Sequence, residues 1–138
     1  MSRILGVDLG TERTGLAVGS FGIAHPLTVV EAHDEEEIVR QIARLAHEED
    51  VREIVVGIAT SLNGTEGPAA TRQRAIAEQI ATATGLAVHF WDERLTTAEA
   101  ERALNAARVG RKERRAVVDK IAASLILQSY LDAHGGNP

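Results

Sequence analysis

The sequence predicts an α/β protein built on a five-stranded mixed sheet, three antiparallel strands followed by two parallel ones, with helices on both faces. Three observations lead there. The first thirty residues alternate short apolar runs with glycine-bearing turns, as an antiparallel meander does. After Asp34 the apolar spacing changes to that of a helix. Glu53-Ile54-Val55-Val56-Gly57-Ile58 is then a short, nearly continuous apolar run, the mark of a strand covered on both faces, as strands of parallel sheets are.

The elements follow in order. Strands are expected over residues 3–9, 15–20 and 23–31. Asp34 with Glu37 makes a capping box, and Ile38, Ile42 and Leu45 carry a helix to about Glu49. The fourth strand spans residues 53–58. A loop over residues 61–68 leads to a helix from about Ala69 to Thr84, with Ile76 and Ile80 on its buried stripe and Gly85 as its stop. Residues 86–91 form the fifth strand. Thr96 with Glu99 opens a short helix through about Ala107, and residues 108–115 read as a basic loop. The last helix carries Val117, Val118, Ile121, Ala122, Leu125, Ile126, Leu127, Tyr130 and Leu131. It is apolar nearly all round and is expected between layers, with residues 135–138 as a frayed end.

At 138 residues, 44% hydrophobic and 25% charged, residues 1–138 are expected to form one ordinary globular domain, and disordered or collagen-like chains are excluded. Without cysteine, neither a disulfide framework nor a thiolate zinc site can form, and a reducing, cytoplasmic setting is expected. Residues 1–6 run straight into a strand-like segment, unlike a secretory signal, and no apolar stretch approaches membrane-spanning length, so no membrane partner is expected. A net charge of -5 argues against a nucleic-acid partner, whose phosphates need neutralising. The charge is segregated, however: residues 31–53 hold nine acids against three bases, and residues 94–120 hold eight bases against four acids. Both stretches also read as solvated helix faces, so position in the fold must decide.

Asp8 ends an otherwise apolar strand, where a carboxylate must be paired, metal-bound, solvated at the rim or used as a cap. Gly6, Gly10 and Gly15 lie around it with Thr11 and Arg13. The Gly10-Thr11 turn lets backbone approach a phosphate, although plain hairpin turns use the same glycines. Asp119 is expected in the first turn of the last helix, among Val117, Val118, Ile121 and Ala122. The helix's positive end stabilises an exposed acid by only about 0.3–1 kcal/mol, so a functional role accounts for it better. Asp92-Glu93-Arg94 follows the fifth strand, and because strand side chains alternate faces, only one of the two acids points at a common site. Glu93 has the longer reach; Asp92 is the substitute if Glu93 points away. If the fifth strand lies two places from the first, the gap is about 10 Å and the loop must fold back. Arg94 reads as a salt-bridge partner or a phosphate contact.

Three carboxylates together raise one another's pKa, and a divalent cation resolves the conflict. An oxygen-rich set suits Mg2+ or Mn2+, two of which can activate a water and stabilise a leaving phosphate oxygen. His25, His33, His47, His89 and His134 have no metal-ligand spacing and read as surface or packing residues, with His89 able to point into the sheet.

Taken in order, four stretches resemble the YqgF family, also called RuvX or Holliday junction resolvase. They are Gly6-Val7-Asp8-Leu9-Gly10-Thr11-Glu12-Arg13-Thr14-Gly15-Leu16-Ala17, then Val55-Val56-Gly57 with Asn63-Gly64-Thr65-Glu66-Gly67, then Asp92-Glu93-Arg94-Leu95-Thr96-Thr97, and finally Val118-Asp119-Lys120-Ile121-Ala122-Ala123 with Leu127-Gln128. The resemblance spans nearly the whole chain. It implies a ribonuclease H-like fold and a metal-dependent phosphodiesterase in which Asp8, Glu93 and Asp119 are the catalytic, metal-holding acids. It also implies maturation of the 5' end of the 16S ribosomal RNA precursor. RNA is then the expected partner, with branched or single-stranded DNA as alternatives, in association with ribosomal precursor particles. The sequence departs from the family pattern at Leu9 and Ala59, where proline is common, and at Asn63, where aspartate is common; these affect loop shape rather than the acids. The basic loop with Arg108, Arg111, Lys112, Arg114 and Arg115 precedes Asp119 and is expected to lie over the site and hold phosphates. Arg13, Arg72, Arg74 and Arg94 extend the track, and the acidic first helix faces away.

Other readings stay open. Residues 6–11 also look like the first phosphate loop of actin-like ATPases and sugar kinases, which need two such lobes where this length supplies one. A noncatalytic nucleic-acid-binding module is the other, and the presence of all three acids speaks against it. Within the nuclease class, junction cleavage asks for a symmetric dimer. With Phe21, Phe90, Trp91 and Tyr130 as the aromatics, backbone contacts are expected to dominate over base stacking.

Overall fold

The structure, a computed structural model, describes residues 3–60, 64–93 and 111–134, the side chains of 111–120 excepted. The elements are β1 (Arg3–Leu9), β2 (Thr14–Ser20), β3 (Ile23–Val30), α1 (Glu35–Glu48), β4 (Val51–Ile58), α2 (Pro68–Thr84), β5 (Ala87–Asp92) and α3 (Arg111–His134). The predicted short helix over residues 96–107 lies outside the described residues. The five strands form one sheet in the order β3-β2-β1-β4-β5, with β1, β2 and β3 antiparallel and β4 parallel to both β1 and β5. The predicted mixed sheet is the observed one. No described helix is long and apolar enough to cross a membrane.

Local chemistry sets the element ends. Asp34 caps α1 by accepting from the Glu37 N–H at 3.1 Å, while the Glu37 carboxylate turns to Gln41 and Arg40 instead of completing the box. Asp50, at φ 53, turns the chain, so β4 starts at Val51 rather than at Glu53. Pro68 opens α2, and Gly85, at φ 71, closes it with its N–H on Ala81 O.

Alternation along the strands makes two cores. Leu5, Val7, Leu9, Ile54, Val56 and Ile58 pack under Ile38 and Ile42 of α1 and Ile76 and Ile80 of α2. On the other face Ala17 and Val55 meet Ala123, Ile126, Leu127, Tyr130 and Leu131 of α3. The expectation of an all-round buried last helix is corrected here. Residues 123, 126, 127, 130 and 131 form one buried stripe, and Ser124, Gln128 and Asp132, four residues apart, make a polar row beside it. Gln128 ties that row to the β2–β3 turn, accepting from Ala24 N–H and donating to Gly22 O, both at 2.9 Å. His89 is a packing residue: it pairs with Glu53 at 2.8 Å and stacks on Tyr130.

The second core is close because the sheet presents glycine to the helix. A Cβ at Gly6 of β1 would lie 2.8 Å from Leu127 Cβ and 3.2 Å from Ala123 O, and one at Gly19 of β2 would lie 2.9 Å from Leu131 Cδ1. Gly19 pairs with Ile4, two residues before Gly6, so α3 runs antiparallel to β1. Its early turns therefore lie toward the carboxyl end of β1. Gly6→Ala should push α3 from the sheet and cost about 1–3 kcal/mol in denaturant unfolding, as overpacking does; unchanged stability would show that the helix does not depend on this approach.

Candidate functional site

The carboxyl ends of β1, β4 and β5 point the same way, and sheets of this kind place ligands beyond such ends. Asp8 is the penultimate residue of β1, opposite Gly15, and alternation from Val7 and Leu9 turns it to the α3 face. Glu93 follows β5 directly. It shares that face with Trp91, which packs against the α3 core. Asp92 alternates to the opposite face, where Thr60 Oγ1 donates to it at 2.7 Å.

Between the strands of Asp8 and Glu93 runs β4, two lateral steps in all. The Glu93 side chain crosses it at Gly57. A Cβ there would lie 3.0 Å from both Glu93 Cγ and Glu93 Oε1 and 2.7 Å from Ile126 Cδ1. With no side chain in the way, the Glu93 carboxyl lies over β4 on the face that Asp8 occupies and comes close enough to influence it. The expected folding back of the loop is thus replaced by a side chain laid over a glycine.

Burial raises the Glu93 pKa above the ordinary glutamate value; the Asp8 hydrogen bond opposes that rise, the Asp92 charge adds to it, and a hydrogen bond from Gln73 opposes it. Asp8 and Glu93 thus bring carboxyl oxygens to one face of the sheet at its open end, where a cation would relieve their repulsion. Hard, facing oxygen donors of this kind fit Mg2+ or Mn2+. Among the described residues no group of three His, Cys, Asp or Glu side chains forms a metal cluster.

Asp119 lies in α3, one turn ahead of Ala123, in the stretch whose side chains are not described. The expectation of a first-turn position is corrected: α3 begins at Arg111, so Asp119 is more than two turns in, beyond the reach of the helix's positive end. The basic loop is corrected with it. Arg111, Lys112, Arg114 and Arg115 occupy the opening described turns of α3, because arginine, lysine and glutamate are good helix formers. From Ala123 back to Arg115 the helix travels about 12 Å, whereas β1 from Gly6 to Leu9 travels about 10 Å. The basic turns therefore come level with the carboxyl end of β1. Arg94 and Arg108 lie outside the described residues.

Arg72 of α2 donates from Nη1 to Gly10 O at 3.1 Å, and the Gly10 N–H closes the turn on Arg13 O at 2.9 Å. Thr11 is exposed at the tip and Arg13 is half-buried beside it. Arg74 is held elsewhere, by a two-pronged pair with Glu66 at 2.7 Å and by the Phe90 ring beneath it. Sequence reasoning missed Gln73, a buried amide at these strand ends. The available signal was its place on the stripe of Ala70, Ile76, Ala77 and Ile80, where a polar residue needs a partner.

The raised Glu93 pKa has a stability consequence. Its folded value exceeds the unfolded one, so its contribution is fully present below the ordinary glutamate range and is lost as pH rises through the raised value. In chelator, thermal melts across that window should show the parent losing stability relative to Glu93→Gln, which becomes the steadier protein at neutral pH. Parallel melting curves for the two would disprove the buried pair.

Known proteins share the fold and the family of this chain. Residues 2–133 match the family described as "RuvX: Holliday junction resolvase". A protein of Pelotomaculum thermopropionicum named "Putative pre-16S rRNA nuclease" is 45% identical over 96% of this chain and 88% of its own length. One of the same name from Myxococcus xanthus is 40% identical over 96% and 89%. Among solved structures, RuvC of T. thermophilus in complex with a Holliday junction substrate superimposes with a TM-score of 0.61 at 15% identity, covering 97% of each chain. The fowlpox virus Holliday junction resolvase does so with 0.58 at 12% identity, over 95% and 99%. The fold is thus ribonuclease H-like, and by its match over residues 2–133 and its relatives of 40–45% identity the chain belongs to the RuvX family.

Proposed function

We propose that this protein is a divalent-metal-dependent nuclease that hydrolyses phosphodiester bonds, acting in the cytoplasm on the 5' end of the 16S ribosomal RNA precursor within precursor particles. The observation that carries the reading is the Glu93 carboxyl laid over Gly57 on the face of Asp8, at the open ends of the parallel strands. The names of its relatives support an RNA substrate.

Asp8, Glu93 and Asp119 would hold Mg2+ or Mn2+, which when bound supplies Lewis-acid activation of the scissile phosphate. Asp8 comes from a central strand and Glu93 from the end of an edge strand, so the sheet fixes their spacing before any substrate arrives. Arg72 and Arg13 flank the Gly10-Thr11 turn beside Asp8, and Arg111, Lys112, Arg114 and Arg115 open α3. Arg94 and Arg108 extend the same basic track in sequence. Cations so grouped hold a phosphate backbone without reading its bases.

A cleavage panel of single-stranded RNA, duplex RNA, single-stranded DNA and a four-way junction, with Mg2+ or Mn2+, tests the reading. RNA should be cut. Asp8→Asn, Glu93→Gln and Asp119→Asn should each lose more than the roughly 10–100-fold that follows loss of an outer-shell metal partner, while melting cooperatively. Full activity in all three would sink the assignment, and cutting of the junction alone would make the resolvase named by the family description the better reading.

The track makes a separate prediction. Replacing Arg114 and Arg115 together with alanine should flatten the salt dependence of RNA binding by roughly 0.7 per lost phosphate contact in a logarithmic plot. An unchanged slope would remove the opening of α3 from the interface.

A further inference from the structure

We propose that Gln73 is the positioning residue of the acid pair: it fixes the Glu93 carboxylate over Gly57 and against Asp8, and so sets the affinity of the site for a divalent cation. The inference rests on the metal-dependent reading above and adds a residue that touches neither substrate nor, directly, the ion.

Gln73 is 4% exposed, rooted in α2 among the fully buried Ala70 and Ile76. Its amide meets the ends of three parallel strands at once. Oε1 accepts from the N–H of Ala59, just past β4, at 2.8 Å; Nε2 faces Leu9 O, at the end of β1, at 3.4 Å and Glu93 Oε1, just past β5, at 3.5 Å. The orientation is fixed by chemistry: a backbone N–H requires the amide oxygen, which leaves the two-hydrogen nitrogen for two acceptors. Reversing the amide would set an oxygen against a carbonyl and a carboxylate.

Gly57 and Gln73 then divide the work. Gly57 clears a path across β4 but exerts no hold on the side chain lying over it. Without a donor, Glu93 Oε1 and Leu9 O would be two acceptors converging on one buried point, and the carboxylate would move off. The short bond to Ala59 pins the amide to the rigid end of a central strand, and the longer contacts to Leu9 and Glu93 leave the carboxylate room to settle on an ion. Gln73 also lies beneath the acids and apart from the basic turns of α3, so metal binding and RNA binding should respond to it differently.

Gln73→Met keeps the length and apolar volume of the side chain and removes the amide. Mn2+ binding, followed through the free-ion paramagnetic resonance signal, should weaken about 10-fold, the lower end of what loss of an outer-shell partner costs. Binding of a single-stranded RNA oligonucleotide in chelator should stay at the parent's level. If the methionine protein does not melt cooperatively, Gln73→Ser, which leaves space for water, is judged by the same two measurements. Unchanged Mn2+ affinity overturns the proposal and leaves the nuclease reading standing, and a parallel fall in RNA binding overturns it as a general disturbance of the fold. A parent that binds no Mn2+ removes the metal-dependent reading itself, and the proposal with it.

Discussion

Two carboxyl groups that repel when ionised are held together here across a strand belonging to neither of them, and most of the architecture serves that meeting. Strand order puts β4 between β1 and β5. The register brings Gly57 opposite Trp91, two residues before Glu93, so the gap in the side-chain surface of β4 falls where Glu93 needs it. The arrangement is costly without a cation, since burial works against a charged Glu93 and nearby Asp92 adds to the cost. Two apolar cores, one on each side of the sheet, offset that expense. Because Asp8 sits inside the hydrogen-bonded ladder, the site cannot relax by letting its strand end drift.

The second constraint is how near α3 comes to the sheet. Glycines from three adjacent strands, Gly19 of β2, Gly6 of β1 and Gly57 of β4, underlie it, where Leu131, Leu127 and Ile126 fill the space that side chains would take. The same surface therefore does two things. It seats the helix low enough for Ala123 and Leu127 to touch β1, and at Gly57 it leaves a passage for Glu93. Since α3 runs antiparallel to β1, a low seat at Gly6 directs the preceding turns, with Asp119 and the basic residues, toward the end of β1 where Asp8 stands.

How much of this was legible follows from the range of the interactions concerned. Alternation and helical spacing are local, and they gave all five strands and the first two helices within about two residues. Asp8 was legible because an acid closing an apolar strand is costly wherever the strand lies. The crossing at Gly57 was not, because it depends on the register of β4 against β5, which no local pattern contains. Length favours Glu93 over Asp92 in the sequence; what separates them in the structure is face, since Asp92 turns away to Thr60. The opening of α3 is helix where a basic loop is expected, since arginine and lysine favour helix. Gln73 has no local signal of its role, since one polar residue in an amphipathic stripe stands out only when its three partners, from residues 9, 59 and 93, converge on it.

Net charge misleads for a related reason. The acids that make the total -5 are concentrated on and around α1, where Glu35, Glu36 and Glu37 face the positive end of their own helix and Glu48 pairs with Arg44. The opening of α3, with Arg111, Lys112, Arg114 and Arg115, belongs to the layer on the other side of the sheet. A helix with its side chains is about 10–12 Å across, and the screening length at physiological salt is about 8 Å. The two fields therefore overlap little, and a polyanion near one face meets mainly that face's charge. The total would matter only if it were spread evenly. Separated across the sheet, the acidic residues of α1 and the basic residues that open α3 give the molecule two faces of opposite charge.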